Sequence, residues 1–278
     1  MREELTCFFI QEVKTMKKGI DISSHNGEID MKKVKDSGVE FIILRLGYGK
    51  NKSQIDKRFY ENYKKAKDLK IPVGVYLYSY ACNRQDAISE AKLVIDEIKD
   101  LEIEYPIFLD MEDADNYKLK HFVTNQTCIE ICETFCNRIE EAGYYVGIYA
   151  NLNWLTTRIS SNRLDRFDKW VAQWSNKCDY KKPYGIWQYT SKGVVPGING
   201  YVDLNYSLKD YEKIIKNTGL NHLKAENLFY IVQDGDNLSK IANKYGTSWQ
   251  KIYNDNKELI GDNPNLIIPG QKLIIKVV

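Results

Sequence analysis

From Lys17 onward, short runs of β-branched and aromatic residues alternate with stretches whose apolar positions recur at helical spacing. The runs fall at residues 19–23, 41–46, 73–80, 106–112, 145–150, 169–174, 185–189 and 202–206, and their length and turn-forming borders predict strands. In the early gaps, Phe59, Tyr63, Ala66 and Leu69 share one helical face, and Ile88, Ala91, Ile95 and Ile98 share another. A third helix is predicted from about Thr127 to Glu141, stopped by Gly143, which suits the left-handed position past a helix end. Strand–helix alternation over about 200 residues predicts a parallel α/β barrel. After the fifth strand the intervals shorten, so the last three strands are expected to close the barrel without full helices between them.

The pattern breaks at the polar stretch Asn217-Thr-Gly-Leu-Asn-His-Leu-Lys-Ala-Glu226, which reads as a linker. Beyond it a strand at 228–233, helices at 237–245 and 248–256, and a strand at 272–278 are expected, with Thr247 and Gln250 forming a capping box. A unit of about 50 residues is near the lower limit for an independent fold and stands alone if both helices cover one face of a two-stranded sheet. The expected organisation is an N-terminal extension (1–16), a barrel (17–216), a linker (217–227) and a small βααβ domain (228–278). Met1-Arg-Glu-Glu-Leu-Thr-Cys-Phe-Phe-Ile10 has a short apolar stretch after two acids, without the basic start and long apolar core of a secretory signal. Met16 makes a natural start for the first strand. The protein is therefore expected to be made in the cytoplasm without a recognisable signal peptide.

Composition narrows the classes. The 278 residues are 43% hydrophobic and 28% charged, enough apolar content for a full core. A formal net charge of +2 without a basic block argues against a nucleic-acid partner. No apolar run approaches the roughly 20 residues of a membrane-spanning helix. Six cysteines (Cys7, Cys82, Cys128, Cys132, Cys136 and Cys178) lack a disulfide-scaffold pattern. Cys128, Cys132 and Cys136 recur with Ile131, Phe135 and Ile139 on a predicted helix, and are expected to be buried thiols, not metal ligands.

The candidate chemistry sits at Tyr105-Pro-Ile-Phe-Leu-Asp-Met-Glu112. Alternate strand residues face the same way, so Asp110 and Glu112 project together from a strand tip, where barrel enzymes keep their chemistry. Neighbouring carboxylates resist ionising together, which raises one pKa and supplies a proton donor near neutral pH. Asp21, in Gly19-Ile-Asp-Ile-Ser-Ser-His-Asn-Gly27, and Asp203, in Gly200-Tyr-Val-Asp-Leu-Asn-Tyr206, add two acids at strand ends. Tyr76, Tyr78 and Tyr80 share a strand face, as do Trp187 and Tyr189. Carboxylates with flat rings suit a sugar polymer, because rings stack on pyranose faces at little entropic cost. His25 is a candidate substrate contact beside Asp21, and an equally good turn residue satisfied by backbone.

These segments, with Ile186-Trp-Gln-Tyr-Thr-Ser-Lys-Gly-Val-Val-Pro-Gly-Ile-Asn-Gly-Tyr-Val-Asp203-Leu-Asn205, resemble glycoside hydrolase family 25 over roughly Lys17 to Lys216. The resemblance implies a flattened (β/α)5β3 barrel, a lysozyme (N-acetylmuramidase) of the autolysin or endolysin kind, Glu112 as general acid, and Asp110, Asp21 and Asp203 as acidic partners. It implies peptidoglycan as the partner, action at the cell wall after holin-dependent release or non-classical export, and no cofactor or metal. Tyr78, Tyr80, Trp187, Tyr189 and His25 are the expected substrate contacts. Tyr230-Ile-Val-Gln-Asp-Gly-Asp-Asn-Leu-Ser-Lys-Ile-Ala-Asn-Lys-Tyr-Gly246, together with residues 263–273, resembles a LysM module. That family binds N-acetylglucosamine-containing glycans between two loops, here Gly235, Asp236, Asn237 and Leu238 opposite Asn265, Leu266, Ile267, Ile268 and Pro269.

Other classes fare worse on residue supply. A zinc amidase or deacetylase needs clustered histidines, and His25, His121 and His222 are scattered. A Cys/His peptidase would rest on Cys82 alone. Chitinases carry a further Asp two residues before the D-x-E, where Phe108 stands here. A non-catalytic wall-binding protein would not require all four acids. The sequence leaves open an inverting or a substrate-assisted retaining route, and the roles of Asp21 and Asp203.

Overall fold

The computed structural model describes residues 16–223 and 228–276; the proposed extension apart from Met16, the end of the linker and the last two residues of the final expected strand lie outside them. Strand β1 (Lys17–Ile22) is followed by helix α1 (Met31–Asp36), β2 (Phe41–Tyr48), α2 (Phe59–Asp68), β3 (Val73–Tyr78), α3 (Arg84–Ile98) and β4 (Ile107–Asp110). Then come α4 (Tyr117–Lys120), α5 (Asn125–Glu141), β5 (Val146–Asn151), α6 (Leu152–Thr156), β6 (Asp168–Ala172), β7 (Ile186–Gly193), β8 (Val202–Ser207) and α7 (Tyr211–Thr218). The eight strands close a barrel in sequence order. Helices follow each of the first five strands, and β6, β7 and β8 succeed one another without an α-helix, as the shortening intervals indicate.

The barrel is not wholly parallel. Strands β1 to β7 run parallel, whereas β8 pairs antiparallel with both β7 and β1. Residues 194–201 are too short a connection for the crossover that a parallel neighbour needs, so β7 and β8 form a hairpin. The consequence is local: the start of β8, not its end, reaches the mouth formed by the C-terminal tips of the other strands.

The inside of the barrel is aromatic. Phe41, Phe108, Trp170 and Ile186 fill it, above a floor of Tyr105, Tyr211 and Ile215. Glycine is required where rings press on the strands: a β-carbon at Gly19 would lie 2.3 Å from the Phe41 ring, and one at Gly147 would lie 2.5 Å from Phe108. Outside, the aliphatic strand faces pack on α3 and α5, whose Cys128, Cys132 and Cys136 are fully buried with Ile131, Phe135 and Ile139. On α3 the buried residues are Ala87, Glu90, Ala91, Leu93, Val94 and Ile98; of the expected face, Ala91 and Ile98 are buried and Ile95 packs half-buried against the core, while Ile88 is half-buried. Small Ala87 and Ala91 give close packing, and Glu90 enters to bind a strand end. Helix α5 begins earlier than expected, because Thr124 caps it by accepting from the Thr127 N–H at 3.1 Å.

The expected linker also starts too early. Asn217 and Thr218 are the last residues of α7, and Gly219 ends it in the left-handed conformation (φ 69°). Asn221 is buried, accepting from the Tyr145 N–H at 2.7 Å and donating to the carbonyls of Ile103 at 2.8 Å and Tyr105 at 3.0 Å. The chain through Leu223 is thus fastened to the barrel floor.

The terminal unit pairs β9 (Leu228–Ile231) antiparallel with β10 (Lys272–Ile275), with α8 (Leu238–Tyr245), α9 (Trp249–Asp255) and the short α10 (Lys257–Ile260) between them. Val232, Leu238, Ile241, Ile252, Leu273 and Ile275 form its core. Asn237 caps α8 through Lys240 N–H at 2.9 Å. Ser248, rather than Thr247, caps α9 by accepting from Lys251 N–H at 3.2 Å; the Thr247 hydroxyl is buried without a partner.

Candidate active site

Four carboxyl groups converge at the barrel mouth. Asp21 on β1 lies directly opposite Asp203 on β8, and antiparallel partners share a face. Asp110, the last residue of β4, is in register with Tyr78 on β3 and Tyr149 on β5. Met111 turns outward into the core, and Glu112 follows on the same side as Asp110. Asp21 and Asp110 are only 6% and 5% exposed, while Glu112 and Asp203 are half-buried.

The two inner acids differ in their support. Asp21 Oδ2 accepts from Gln188 Nε2 at 3.0 Å and Asn205 Nδ2 at 2.8 Å. Those amides are oriented in turn: Trp170 Nε1 donates to Asn205 Oδ1 at 2.7 Å, and Trp174 Nε1 and the Tyr149 hydroxyl donate to Gln188 Oε1 at 3.1 and 3.2 Å. An indole N–H only donates, so each amide must turn its NH2 toward Asp21. Asp110 Oδ1, by contrast, is buried with no partner.

All four acids are pushed above the ordinary carboxylate range. Burial, then the Asp203 charge, raises Asp21 to about 8, and burial raises Asp203 to about 6. Asp110 is raised by burial first and by the Glu112 charge second, with the Lys118 ammonium opposing. Glu112 is raised chiefly by burial, against Lys118, with a further push from Asp203. Burial is thus the first cause at both members of the pair, and the repulsion between the two carboxyls adds to it.

Beside the acids, Ser24, His25, Arg45, Tyr48, Tyr78, Tyr80 and Asp115 help line a groove of about 580 Å³. Tyr78 and Tyr80 stand 5.2 Å apart, and the Tyr80 hydroxyl donates to Asp115 at 2.7 Å. Arg45 is fixed by Asp56 at 2.6 Å. Tyr78, Tyr80 and His25 thus share one groove, whereas Tyr76 points into the barrel against Trp170. Trp187 and Tyr189 do not join them. Gln188 faces Asp21, so its neighbours take the opposite face, where Tyr189 stacks on Tyr206 at 4.5 Å and Trp187 lies 6.1 Å from Tyr206. The exposed ring near Asp21 is instead Trp174, 64% exposed and anchored by its bond to Gln188.

Sequence reasoning missed Gln188, Asn205, Trp170, Trp174, Tyr149 and Lys118. Asn205 was findable as the residue two beyond Asp203 on one strand face. Lys118, on an isolated turn of helix, carries no local signal. Cys82 is no nucleophile: burial and then Asp86 push its thiol up, and its Sγ contacts the Tyr80 carbonyl at 3.7 Å. His121 bonds Tyr117 O through Nδ1 at 2.8 Å, and His222 packs edge-on against Tyr144.

In the terminal unit, Val232 pairs with Gly270 and Gln271 at 2.8 and 2.9 Å, so loops 233–237 and 263–269 leave the same end of the sheet. Gly235 holds a positive φ of 76°. Asp236 is occupied internally by Tyr230 at 2.7 Å and Gln233 N–H at 2.8 Å. Leu238 is buried in the core rather than offered to a ligand, and Ile267 packs against that core. Leu266 and Ile268 are both 60% exposed, and Asn265 and Pro269 are exposed beside them.

Two family models match separate stretches of the chain. The model of glycosyl hydrolases family 25 matches residues 20–198, and that of the LysM domain matches residues 230–276. An autolytic lysozyme of Clostridium acetobutylicum is 28% identical over 189 residues, covering 68% of this chain and 55% of that protein. The modular autolysin LytC from Streptococcus pneumoniae, solved with a synthetic peptidoglycan ligand, is similar with a TM-score of 0.63 and 36% identity, covering 69% of this chain and 46% of that one. An N-acetylmuramoyl-L-alanine amidase, sle1, of Staphylococcus epidermidis is 57% identical over 44 residues, 16% of this chain and 12% of its own. The chain spans about half the length of the lysozyme and the autolysin that it matches.

Proposed function

The chain belongs to glycosyl hydrolases family 25 and carries a LysM domain, and on that premise we propose that it hydrolyses the β-1,4 bond from N-acetylmuramic acid to N-acetylglucosamine in peptidoglycan. The observation that carries this reading is the Asp110/Glu112 pair. Both carboxyls are raised above the ordinary range, one deeply buried and one half-buried. Glu112 is the general acid: it gives its proton to the glycosidic oxygen as the bond to the muramic acid carbon breaks. Asp110, on the same strand tip, does not flank the bond from the far side. In this reading it orients the substrate's 2-acetamido group, whose oxygen closes on that carbon in the substrate-assisted route. Water then adds to the carbon and returns a proton to Glu112.

Asp21 and Asp203 form the second pair; Asp21 is held by oriented amides, and Asp203, raised only to about 6 against about 8 for Asp21, is the member that faces the charge developing on the sugar as an anion. Tyr78, Tyr80, His25 and Trp174 serve as the saccharide contacts. In the LysM domain, Asn265, Leu266, Ile268 and Pro269 with Gly235 are the proposed glycan contacts, keeping the enzyme on the wall while the barrel cuts.

Digestion of purified peptidoglycan, followed by borohydride reduction, tests the reading. Reduced muramic acid is the expected new end. Reduced glucosamine would mean a glucosaminidase, and no new ends with wall binding retained would mean a binding protein.

A further inference from the structure

The mouth holds a buried cation that the proposed reaction does not use. Lys118, on α4, is 1% exposed. Its ammonium donates to the main-chain oxygens of Ser79 and Glu112, the second at 3.1 Å, and lies 5.7 Å from the centre of the Tyr78 ring. Those two carbonyls belong to residues just past the ends of β3 and β4. The peptide group joining Ser79 to Tyr80 is gripped from both sides. Lys118 takes its carbonyl, and Glu90 Oε1 accepts its N–H at 2.7 Å while Oε2 accepts the Ser79 hydroxyl at 2.8 Å.

Buried ammonium groups are costly unless neutralised. The groups facing Lys118 are Asp110 and Glu112 at the tip of β4, Glu90 on α3, the Tyr78 phenol on β3, and the thiols of Cys82 and, on α5, Cys132. Asp113 accepts the Lys118 main-chain N–H at 2.7 Å. Asp110 and Glu112 are thus the facing acids that the proposed chemistry uses, and Lys118 is a positive charge built in beside them.

We propose that Lys118 is a positioning residue for the acid pair, tying the ends of β3 and β4 together through the Ser79 and Glu112 carbonyls and setting a positive charge beside both carboxyls. The inference rests on the reading of Asp110 and Glu112 as the reacting pair. A nearby positive charge favours the ionised form of a carboxyl, and burial disfavours it. The ammonium is what opposes burial at both acids. Without it both carboxyls would be raised further.

The test is the pH profile of reducing-end release from purified peptidoglycan by the full chain. Lys118→Met keeps the length of the side chain and removes its charge; Lys118→Arg keeps the charge. Both limbs of the Lys118→Met profile are expected at higher pH, the high-to-low pH activity ratio rising about tenfold for each unit of displacement. Lys118→Arg is expected to return toward wild type. Lower activity with unmoved limbs, or limbs moved to lower pH, would overturn the proposal. Should Lys118→Met fail to melt as a folded protein, Lys118→Gln, which keeps a hydrogen-bond donor for the Ser79 and Glu112 carbonyls without the charge, is read in the same way, and unmoved limbs overturn the proposal. Wild type that releases no reducing ends fails the hydrolase reading itself and this inference with it. An active wild type with unmoved variants fails the inference alone.

Discussion

Two buried aspartates in one barrel meet opposite fates. At the floor, Asp168 Oδ2 accepts from the hydroxyls of Tyr145 and Tyr211 at 3.1 and 2.7 Å and from the Lys209 ammonium at 2.7 Å, while Oδ1 accepts the Lys169 N–H at 2.9 Å. At the mouth, Asp110 is as deeply buried, yet its Oδ1 has no partner and the strongest charge acting on it is another carboxylate. Burying a carboxylate is tolerable when donors replace the lost water, and destabilising when they do not. The floor is arranged to hold the chain together. The mouth is arranged to leave a proton mobile, and the rest of the fold offsets the destabilisation.

The contrast can be broken most sharply at Glu112. Glu112→Gln is expected to lower muramic acid release by at least about 100-fold, the scale of a lost general acid, with thermal stability retained. A variant that still releases muramic acid at the wild-type rate would remove Glu112 from the chemistry. The floor should answer in the opposite way. Asp168→Ala is expected to cost about 3–5 kcal/mol in urea unfolding, because it strands Lys209 and two phenols. The protein that remains folded should keep its rate per molecule.

A smaller effect tests the sign of the mouth's electrostatics. Asp21 is raised to about 8 and Asp203 to about 6 from an ordinary 3.8. Groups raised in the folded state contribute stability that is full below their unfolded value and lost as pH rises through the folded one. Wild-type stability is therefore expected to fall from about pH 4 to about pH 8, and Asp21→Asn should flatten the upper part of that fall. A parallel decline in both proteins would mean that Asp21 does not titrate there. The smallest effect expected is at the rings. Trp174→Ala should raise KM several-fold, about 1 kcal/mol of stacking, and Tyr189→Ala on the outer face should leave it unchanged. Equal effects at the two positions would erase the distinction between mouth and outer face.

The strands and the D-x-E tip were legible in the sequence because alternation is a local property. Asp110 and Glu112 share a side by virtue of being two residues apart. The outward placing of Trp187 and Tyr189 was not legible. Alternation puts them together on one face, and which face points inward depends on the register of β7 against β8. The face of α3 was legible in part: Ala91, Ile95 and Ile98 pack on the core as their spacing indicates, but burial of Glu90 beside them answers the Tyr80 N–H and Ser79 hydroxyl, partners that lie outside the helix. The early start assigned to the linker failed because a polar run predicts a solvated segment, while Asn221 uses its polarity to close the barrel floor.

By itself, the sequence determined the order of strands and helices, the break near the start of the small domain, and the residue types of the acid cluster, all carried by short-range pattern and by the resemblance. Only the tertiary structure decided that β8 runs backwards, that Asp203 meets Asp21 across the hairpin so formed, and that Asn205 reaches Asp21 from 184 residues away. It also decided that Lys118 comes to rest against the Glu112 carbonyl. Those placements follow from closing the barrel, a condition on the whole chain that no local window contains.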